Sequence, residues 1–163
     1  IISDTLLLKS PTTTDMDIKA VKELNKIVKL NVEKFGLEMF KSGSSLEGMT
    51  YEEVLEMDSK TFKSGDEEFT ISQAFTLDID NILKDKDNYL MEMDKLMKET
   101  GVKRFIFAVT DIIKNGSYIL YDSKSEDVIK KAFNIKKIEQ GVFLKGVVSR
   151  KQQIVPAVLD AID

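Results

Sequence analysis

The chain has 163 residues, with 24 lysines and arginines against 28 aspartates and glutamates and with neither histidine nor cysteine. This length suits one domain with a sizeable core, and a hydrophobic share of 42% excludes a wholly disordered chain. The net charge of −4 provides no overall basic field, so we expect neither nucleic acid nor a membrane as a partner.

The missing residue types exclude several kinds of chemistry. Without imidazole and thiolate there is no Ser-His-Asp triad, no disulfide scaffold and no zinc site of the usual kind. Any metal held by this chain alone would have oxygen ligands, as Mg²⁺ or Ca²⁺ can have. A chain without cysteine fits a reducing compartment, and we predict a cytoplasmic location. The first residues show neither an initiator Met nor a signal-peptide pattern, so we expect a piece of a longer protein.

Helices are predicted in the first third of the chain. The apolar segment 1–8 is compatible with a helix end or a strand. Apolar residues at three- and four-residue spacing predict an amphipathic helix from Asp15 and a second helical stretch that ends in the polar segment 42–45. Thr50 followed by Glu53 is a capping-box pattern and predicts a short third helix.

Strand signals begin at Lys60. The segments 60–64 and 68–75 flank Ser64-Gly65-Asp66 and predict a β-hairpin. Helical spacing then returns from Asp80, which we interpret as the N-cap, to Thr100.

The last third mixes strands and helices. The apolar run 105–109, inside the segment 102–110, predicts a central strand covered on both faces. The pair Asn115-Gly116 predicts a turn into a second strand over 118–121. Three further elements follow: a short helix around 128–133, a last strand within 142–148 and a closing helix over 154–162.

This order of elements predicts the fold class. Helices come first and then mix with strands, and two hairpin signals imply antiparallel pairing. We therefore predict an α/β fold of α+β character, a single domain with a mixed β-sheet packed by helices, and not a doubly wound parallel sheet. No apolar run approaches the ~20 residues that a membrane span requires.

Two basic segments beside apolar runs are the candidate anion sites. Lys9 precedes the hydroxyl-rich segment 10–14, and Arg150 with Lys151 stands between an apolar strand and a helix, with no acidic residue nearby in sequence. Ammonium, guanidinium and hydroxyl groups are what proteins use to hold phosphate or carboxylate. Solvated cations near helix ends give the same pattern, so the residues alone leave both interpretations open.

The carboxylate-rich region is a weaker candidate. Asp78, Asp80, Asp85 and Asp87 lack the loop glycine and closing glutamate of an EF-hand, and we expect no metal site there. Asp111 follows the predicted central strand, and we interpret it as a turn-forming residue.

The two ends of the chain together resemble a known family. The segments Ser3-Asp4-Thr5-Leu6-Leu7-Leu8-Lys9-Ser10-Pro11-Thr12 and Val147-Val148-Ser149-Arg150-Lys151-Gln152-Gln153-Ile154-Val155-Pro156 resemble the C-terminal (DHHA2) domain of family II, manganese-dependent inorganic pyrophosphatases. Weaker matches at 35–39, 71–73 and 109–112 fall in the family's order. The resemblance implies that residues 1–163 form a DHHA2-like substrate-binding domain whose N-terminal DHH domain is absent.

The same resemblance implies a function. The expected activity of the full-length enzyme is hydrolysis of diphosphate to two phosphates, and the isolated fragment is expected to be inactive. Manganese or cobalt, with magnesium, would be bound mainly by the absent domain, with no cofactor expected in this fragment. The implied partners are pyrophosphate and the DHH domain of the same chain, and many members form a homodimer through the other domain.

The resemblance also assigns roles to residues. It places the lysine of the family's Leu-Leu-x-Lys-Ser-Pro-Thr motif at Lys9 and the two cations of its Ser-Arg-Lys motif at Arg150 and Lys151. These three are expected to be catalytic and to meet in one pocket that grasps the phosphates. Ser149 and Gln152 are expected to join them in binding the substrate, and Gln152 stands where the family usually has a second lysine.

Two other functions stay open at this point. Related DHH proteins that cut polyphosphate ends share this domain type, so the chain could be the equivalent domain of an exopolyphosphatase. It could also be a non-catalytic anion-binding or protein-interaction module.

Overall fold

The computed structural model describes residues 1–162, and over this range the chain forms seven α-helices and five β-strands. The chain divides into two compact units, Ile1–Ser45 and Leu46–Asp163. The single domain expected from the sequence stays a prediction.

The first unit holds two helices, α1 (Asp15–Val28) and α2 (Val32–Gly43). A capping box starts α1, because the Asp17 N–H donates to Thr14 Oγ1 at 3.2 Å and the Asp17 carboxylate accepts from the Thr14 N–H at 2.8 Å. Both helices are where the apolar spacing predicts them.

The segment before α1 is neither helix nor strand. Leu6, Leu7 and Leu8 have left-handed φ angles of 48°, 59° and 63°, a conformation that costs a non-glycine residue roughly 1–2 kcal/mol. The turn packs on α2 at Gly36, where an added Cβ would collide with the Leu7 side chain. The apolar pattern of this segment is compatible with a helix end or a strand. Its actual conformation, a strained left-handed turn, follows from tertiary packing.

The second unit contains a five-stranded sheet in the order β1-β2-β3-β4-β5. The β2–β3 pair is parallel, and the other three pairs are antiparallel. The strands are β1 (Ser59–Ser64), β2 (Glu67–Thr76), β3 (Arg104–Asp111), β4 (Gly116–Tyr121) and β5 (Val142–Lys145). The predicted mixed sheet and both predicted hairpins are confirmed, with Gly65 (φ 57°) and Asn115 (φ 52°) supplying the left-handed turn residues.

Helices cover both faces of this sheet. They are α3 (Tyr51–Glu56), α4 (Ile79–Lys84), α5 (Lys86–Thr100), α6 (Glu126–Phe133) and α7 (Val155–Ile162). Alternate residues of β3 face opposite layers: Phe105 and Phe107 pack with buried residues of α3, α4 and α5, whereas Ile106 and Ala108 pack with those of α6 and α7. The prediction of a central strand buried on both faces is confirmed.

One long helix predicted from Asp80 to Thr100 is wrong in detail. The segment forms two helices that break at Asp85, whose N–H still donates to the carbonyls of Ile82 and Leu83. Asp80 lies inside α4 and is not its N-cap, because that helix begins at the buried Ile79 and Asp78 precedes it. Burial of Ile79 in the core therefore sets the start of the helix earlier than the polar pattern indicates.

Candidate phosphate-binding site

The segment that carries Ser149, Arg150 and Lys151 is held tightly on its upstream side. Each of the three preceding carbonyls accepts a hydrogen bond from a side chain. The pairs are Gln153 Nε2 to Gly146 O (2.9 Å), Ser117 Oγ to Val147 O (2.6 Å) and Gln73 Nε2 to Val148 O (3.0 Å). The backbone entering the motif is thus held at three consecutive residues.

Two of these donors belong to a buried polar network in the sheet. Gln73 Nε2 also donates to Thr110 Oγ1 at 2.8 Å, and Thr110 Oγ1 lies 2.8 Å from Ser117 Oγ. Gln73 is 4% exposed, and Thr110 and Ser117 are fully buried. Because buried polar groups are costly to leave unpaired, the network specifies one position for the segment that it binds.

The motif itself forms the first turn of the closing helix. The Ser149 carbonyl accepts from the N–H groups of Gln153 (3.0 Å) and Ile154 (3.2 Å), so a π-helical turn over Arg150–Ile154 leads into α7. Ser149 Oγ caps the turn by accepting from the Gln152 N–H at 3.2 Å. The sequence prediction placed the helix start at Ile154, whereas helical turns begin at Arg150 because of these caps.

The guanidinium of Arg150 is largely buried and has an acidic partner. Its side chain is 10% exposed, and Nη2 donates to Asp58 Oδ1 at 2.8 Å. Nη1 donates to the carbonyls of Asp58 (2.6 Å) and Ile71 (3.3 Å). Asp58 is 92 residues away in sequence, and sequence reasoning missed it because only sheet formation brings it beside the motif.

The neighbouring cation is in a different environment. Lys151 is exposed and forms no ion pair with any carboxylate of residues 1–162. Gln152 is also exposed, while Ser149 is half-buried and keeps its hydroxyl hydrogen available to a ligand. The motif therefore presents one anchored guanidinium and one solvated ammonium on adjacent residues.

Lys9 belongs to the first unit. It is exposed, and its N–H donates to the Thr5 carbonyl at 3.0 Å within the left-handed turn. Since Arg150 belongs to the second unit, a common pocket of Lys9, Arg150 and Lys151 stays a prediction.

Asp111 has a structural role in the turn that follows β3. Asp111 Oδ1 accepts from the N–H groups of Ile113 and Lys114, both at 2.9 Å, which confirms its interpretation as a turn residue. Over residues 1–162, no group of three or more carboxylates is arranged to hold a metal ion.

Comparison with known proteins identifies the family. The DHHA2 domain model matches residues 37–161. The chain belongs to the DHHA2 family. Arg150 and Lys151 lie inside the DHHA2 match, and Lys9 lies before it.

The relatives of this DHHA2 chain are pyrophosphatases by name. It is 41% identical over 163 residues to a probable manganese-dependent inorganic pyrophosphatase of Clostridium acetobutylicum, covering 100% of this chain and 53% of the relative. The Bacillus licheniformis protein of the same description is 40% identical over 162 residues, covering 99% and 52%. The chain thus spans about half the length of these relatives, and it matches their C-terminal part.

A solved structure shares the DHHA2 chain's fold. A Methanococcus jannaschii protein assigned as a family II inorganic pyrophosphatase superposes with a TM-score of 0.84 at 38% identity, covering 98% of this chain and 52% of that one. None of the helices formed by residues 1–162 has the length and apolar character needed to cross a membrane.

Proposed function

We propose that this chain is the C-terminal part of a manganese-dependent inorganic pyrophosphatase and that its DHHA2 unit binds the phosphates of the substrate. The observation that carries the proposal is the adjacent pair of cations on an immobilised helix start, one anchored and one free, in a chain about 40% identical to such enzymes. The N-terminal DHH domain of the same chain completes the enzyme, which acts in the cytoplasm.

The chemistry of diphosphate hydrolysis suits these two cations. Water attacks one phosphorus, the bridging P–O bond breaks, and two phosphates leave, so negative charge develops on the bridging oxygen and on the attacked phosphoryl group. Arg150 can hold two phosphate oxygens at once, and Lys151 adds a point charge. Cations already positioned where charge develops stabilise the transition state.

The metals belong mainly to the other domain in this proposal. Manganese, or cobalt, with magnesium is associated with the full-length enzyme, and the carboxylates of residues 1–162 complete no metal site of their own. The role of this chain is therefore to bind and orient phosphate. Ser149 and Gln152 are further proposed contacts, together with Lys9 of the first unit, and a homodimer is a proposed assembly of the parent.

The test is substitution in the full-length parent enzyme. Arg150→Ala and Lys151→Ala should each lower kcat/KM for pyrophosphate by roughly 10²–10³, as removal of a transition-state charge contact does. Lys98→Ala is the matched control, because Lys98 is an exposed lysine of α5 in the same unit. Steady-state phosphate release measures all three.

The same assay separates the alternatives. An exopolyphosphatase would turn over long polyphosphate faster than pyrophosphate, and a non-catalytic module would leave turnover unchanged in both variants. The isolated chain should bind pyrophosphate weakly and hydrolyse none. Hydrolysis of pyrophosphate by the purified fragment with Mn²⁺ would contradict the proposal that the other domain holds the metals.

A further inference from the structure

Asp58 and its surroundings accept hydrogen bonds from only three of the N–H groups of the Arg150 guanidinium. Of the five N–H groups of an arginine, Nη1 uses two on the carbonyls of Asp58 and Ile71, and Nη2 uses one on Asp58 Oδ1. The Nε N–H and the second Nη2 N–H have no acceptor among residues 1–162. These two lie along one edge of the planar group, and such an edge can hold two oxygens of a phosphate.

Asp58 is itself held in place by the element that holds the motif. Its carbonyl accepts from the Gln73 backbone N–H at 2.9 Å. The side chain of the same Gln73 donates to the Val148 carbonyl, two residues before Arg150. One buried residue of β2 thus binds the backbone of Asp58 and the backbone two residues before Arg150, so the sheet holds the main chain on both sides of the ion pair.

We propose that Asp58 is a positioning residue for pyrophosphate hydrolysis: it binds the Nη1/Nη2 edge of the Arg150 guanidinium and leaves the adjacent Nε/Nη2 edge for the phosphate. This inference rests on the proposed function of Arg150. Asp58 does not touch the substrate. It removes the rotational freedom of the arginine, which would otherwise be lost when phosphate binds.

Substitution of Asp58 in the full-length parent tests the inference. Asp58→Ala should lower kcat/KM for pyrophosphate about tenfold, mainly through a higher KM, because the Asp58 backbone carbonyl still holds Nη1. Asp58→Asn keeps an oxygen acceptor for Nη2 and should stay within about threefold of wild type. The matched control is Glu67→Ala: Glu67 is 45% exposed and pairs with Arg104, as Asp58, 47% exposed, pairs with Arg150.

A double-mutant cycle distinguishes positioning from general stability. In an Arg150→Ala background, Asp58→Ala should cause no further loss of kcat/KM, because its effect passes through the missing arginine. A thermal melt of each variant shows whether it is folded. If Asp58→Ala does not fold, the comparison is repeated with Asp58→Ser, whose hydroxyl is too short to reach Nη2.

The outcomes separate this inference from the proposed function. If Arg150→Ala impairs turnover but Asp58→Ala behaves like Glu67→Ala, the positioning role is wrong and the phosphate-binding role stands. An equal loss from Asp58→Ala with and without Arg150, or an Asp58→Asn variant as impaired as Asp58→Ala, also overturns it. If Arg150→Ala itself has no effect, the proposed function fails first.

Discussion

Burial changes the acid–base behaviour of single residues in this chain, and Tyr89 on α5 is the clearest case. Its side chain is 5% exposed, with the Tyr51 ring 4.9 Å away edge-on and the Phe107 ring at 5.5 Å. Burial in these surroundings, more than the nearby Tyr51 and Asp85, raises the pKa of Tyr89 to about 12. The phenol thus stays protonated in the folded protein at pH values where an unfolded tyrosine ionises.

This difference makes stability depend on pH. A tyrosine in the unfolded chain loses its proton near pH 10, whereas folded Tyr89 keeps it until about pH 12. The free energy of unfolding should therefore fall as the pH rises between these values, because the unfolded state binds fewer protons. Urea titrations of wild type and Tyr89→Phe at several alkaline pH values measure the effect. A stability difference between the two proteins that is the same at neutral and alkaline pH would contradict the assignment.

The pairing of β4 with β5 requires the two strands to approach closely at Gly116. The turn residue Asn115 is left-handed, and Gly116 follows it at the start of β4, opposite Asp111 and Lys145. The Phe143 ring lies over Gly116, where an added Cβ would come within 2.6 Å of Phe143 Cε2 and 2.7 Å of the Leu144 carbonyl. The glycine is needed for space and not for a positive φ.

Gly116→Ala should accordingly destabilise the protein. We expect a loss of about 1–3 kcal/mol in the free energy of unfolding, as for other overpacked sites, because a strand carbonyl cannot move aside as a side chain can. Chemical denaturation measures it, and Gly43→Ala is the control, since nothing lies within 4 Å of an added Cβ there. Equal stability of the two variants would show that β5 shifts freely.

At the scale of the whole molecule, the two compact units differ in how much hydrophobic core they contain. Both hydrophobic clusters of the sheet, one on each face, consist only of residues from the second unit. In the first unit, α1 has no buried residue, and α2 has only Gly36 and Phe40. Helices of about 12–15 residues with so few buried residues are marginal in water, so the two units should differ sharply in independent stability.

A fragment of residues 46–163 should therefore fold alone. We expect near-native circular dichroism and one cooperative thermal transition, because the complete sheet and both its helical layers are present. The fragment 1–45 is the companion sample and should be largely unfolded in isolation. A 46–163 fragment without a cooperative transition would show that the second unit needs the first, and would favour the single domain expected from the sequence.

Features that depend on near neighbours in the chain could be predicted from the sequence. The helices α1 and α3 follow from apolar period and from capping boxes at Thr14 and Thr50, and the hairpins follow from the turns at Gly65 and Asn115. Each signal lies within a few residues of the structure that it specifies, so local propensity and pattern suffice. The Ser149-Arg150-Lys151 motif could likewise be found in the sequence, because its residues are consecutive.

Features that depend on distant residues were decided only by the tertiary structure. The Asp58 carboxylate meets Arg150 across 92 positions, and the carbonyls of 146–148 find their donors on β2, on β4 and within the motif's own turn. The break at Asp85 and the left-handed turn at Leu6–Leu8 likewise follow packing and not period. The sequence by itself determined most of the elements and the position of the cations along the chain. The tertiary structure determined what holds the arginine, because the free energy of a buried polar contact depends on partners that folding alone brings together.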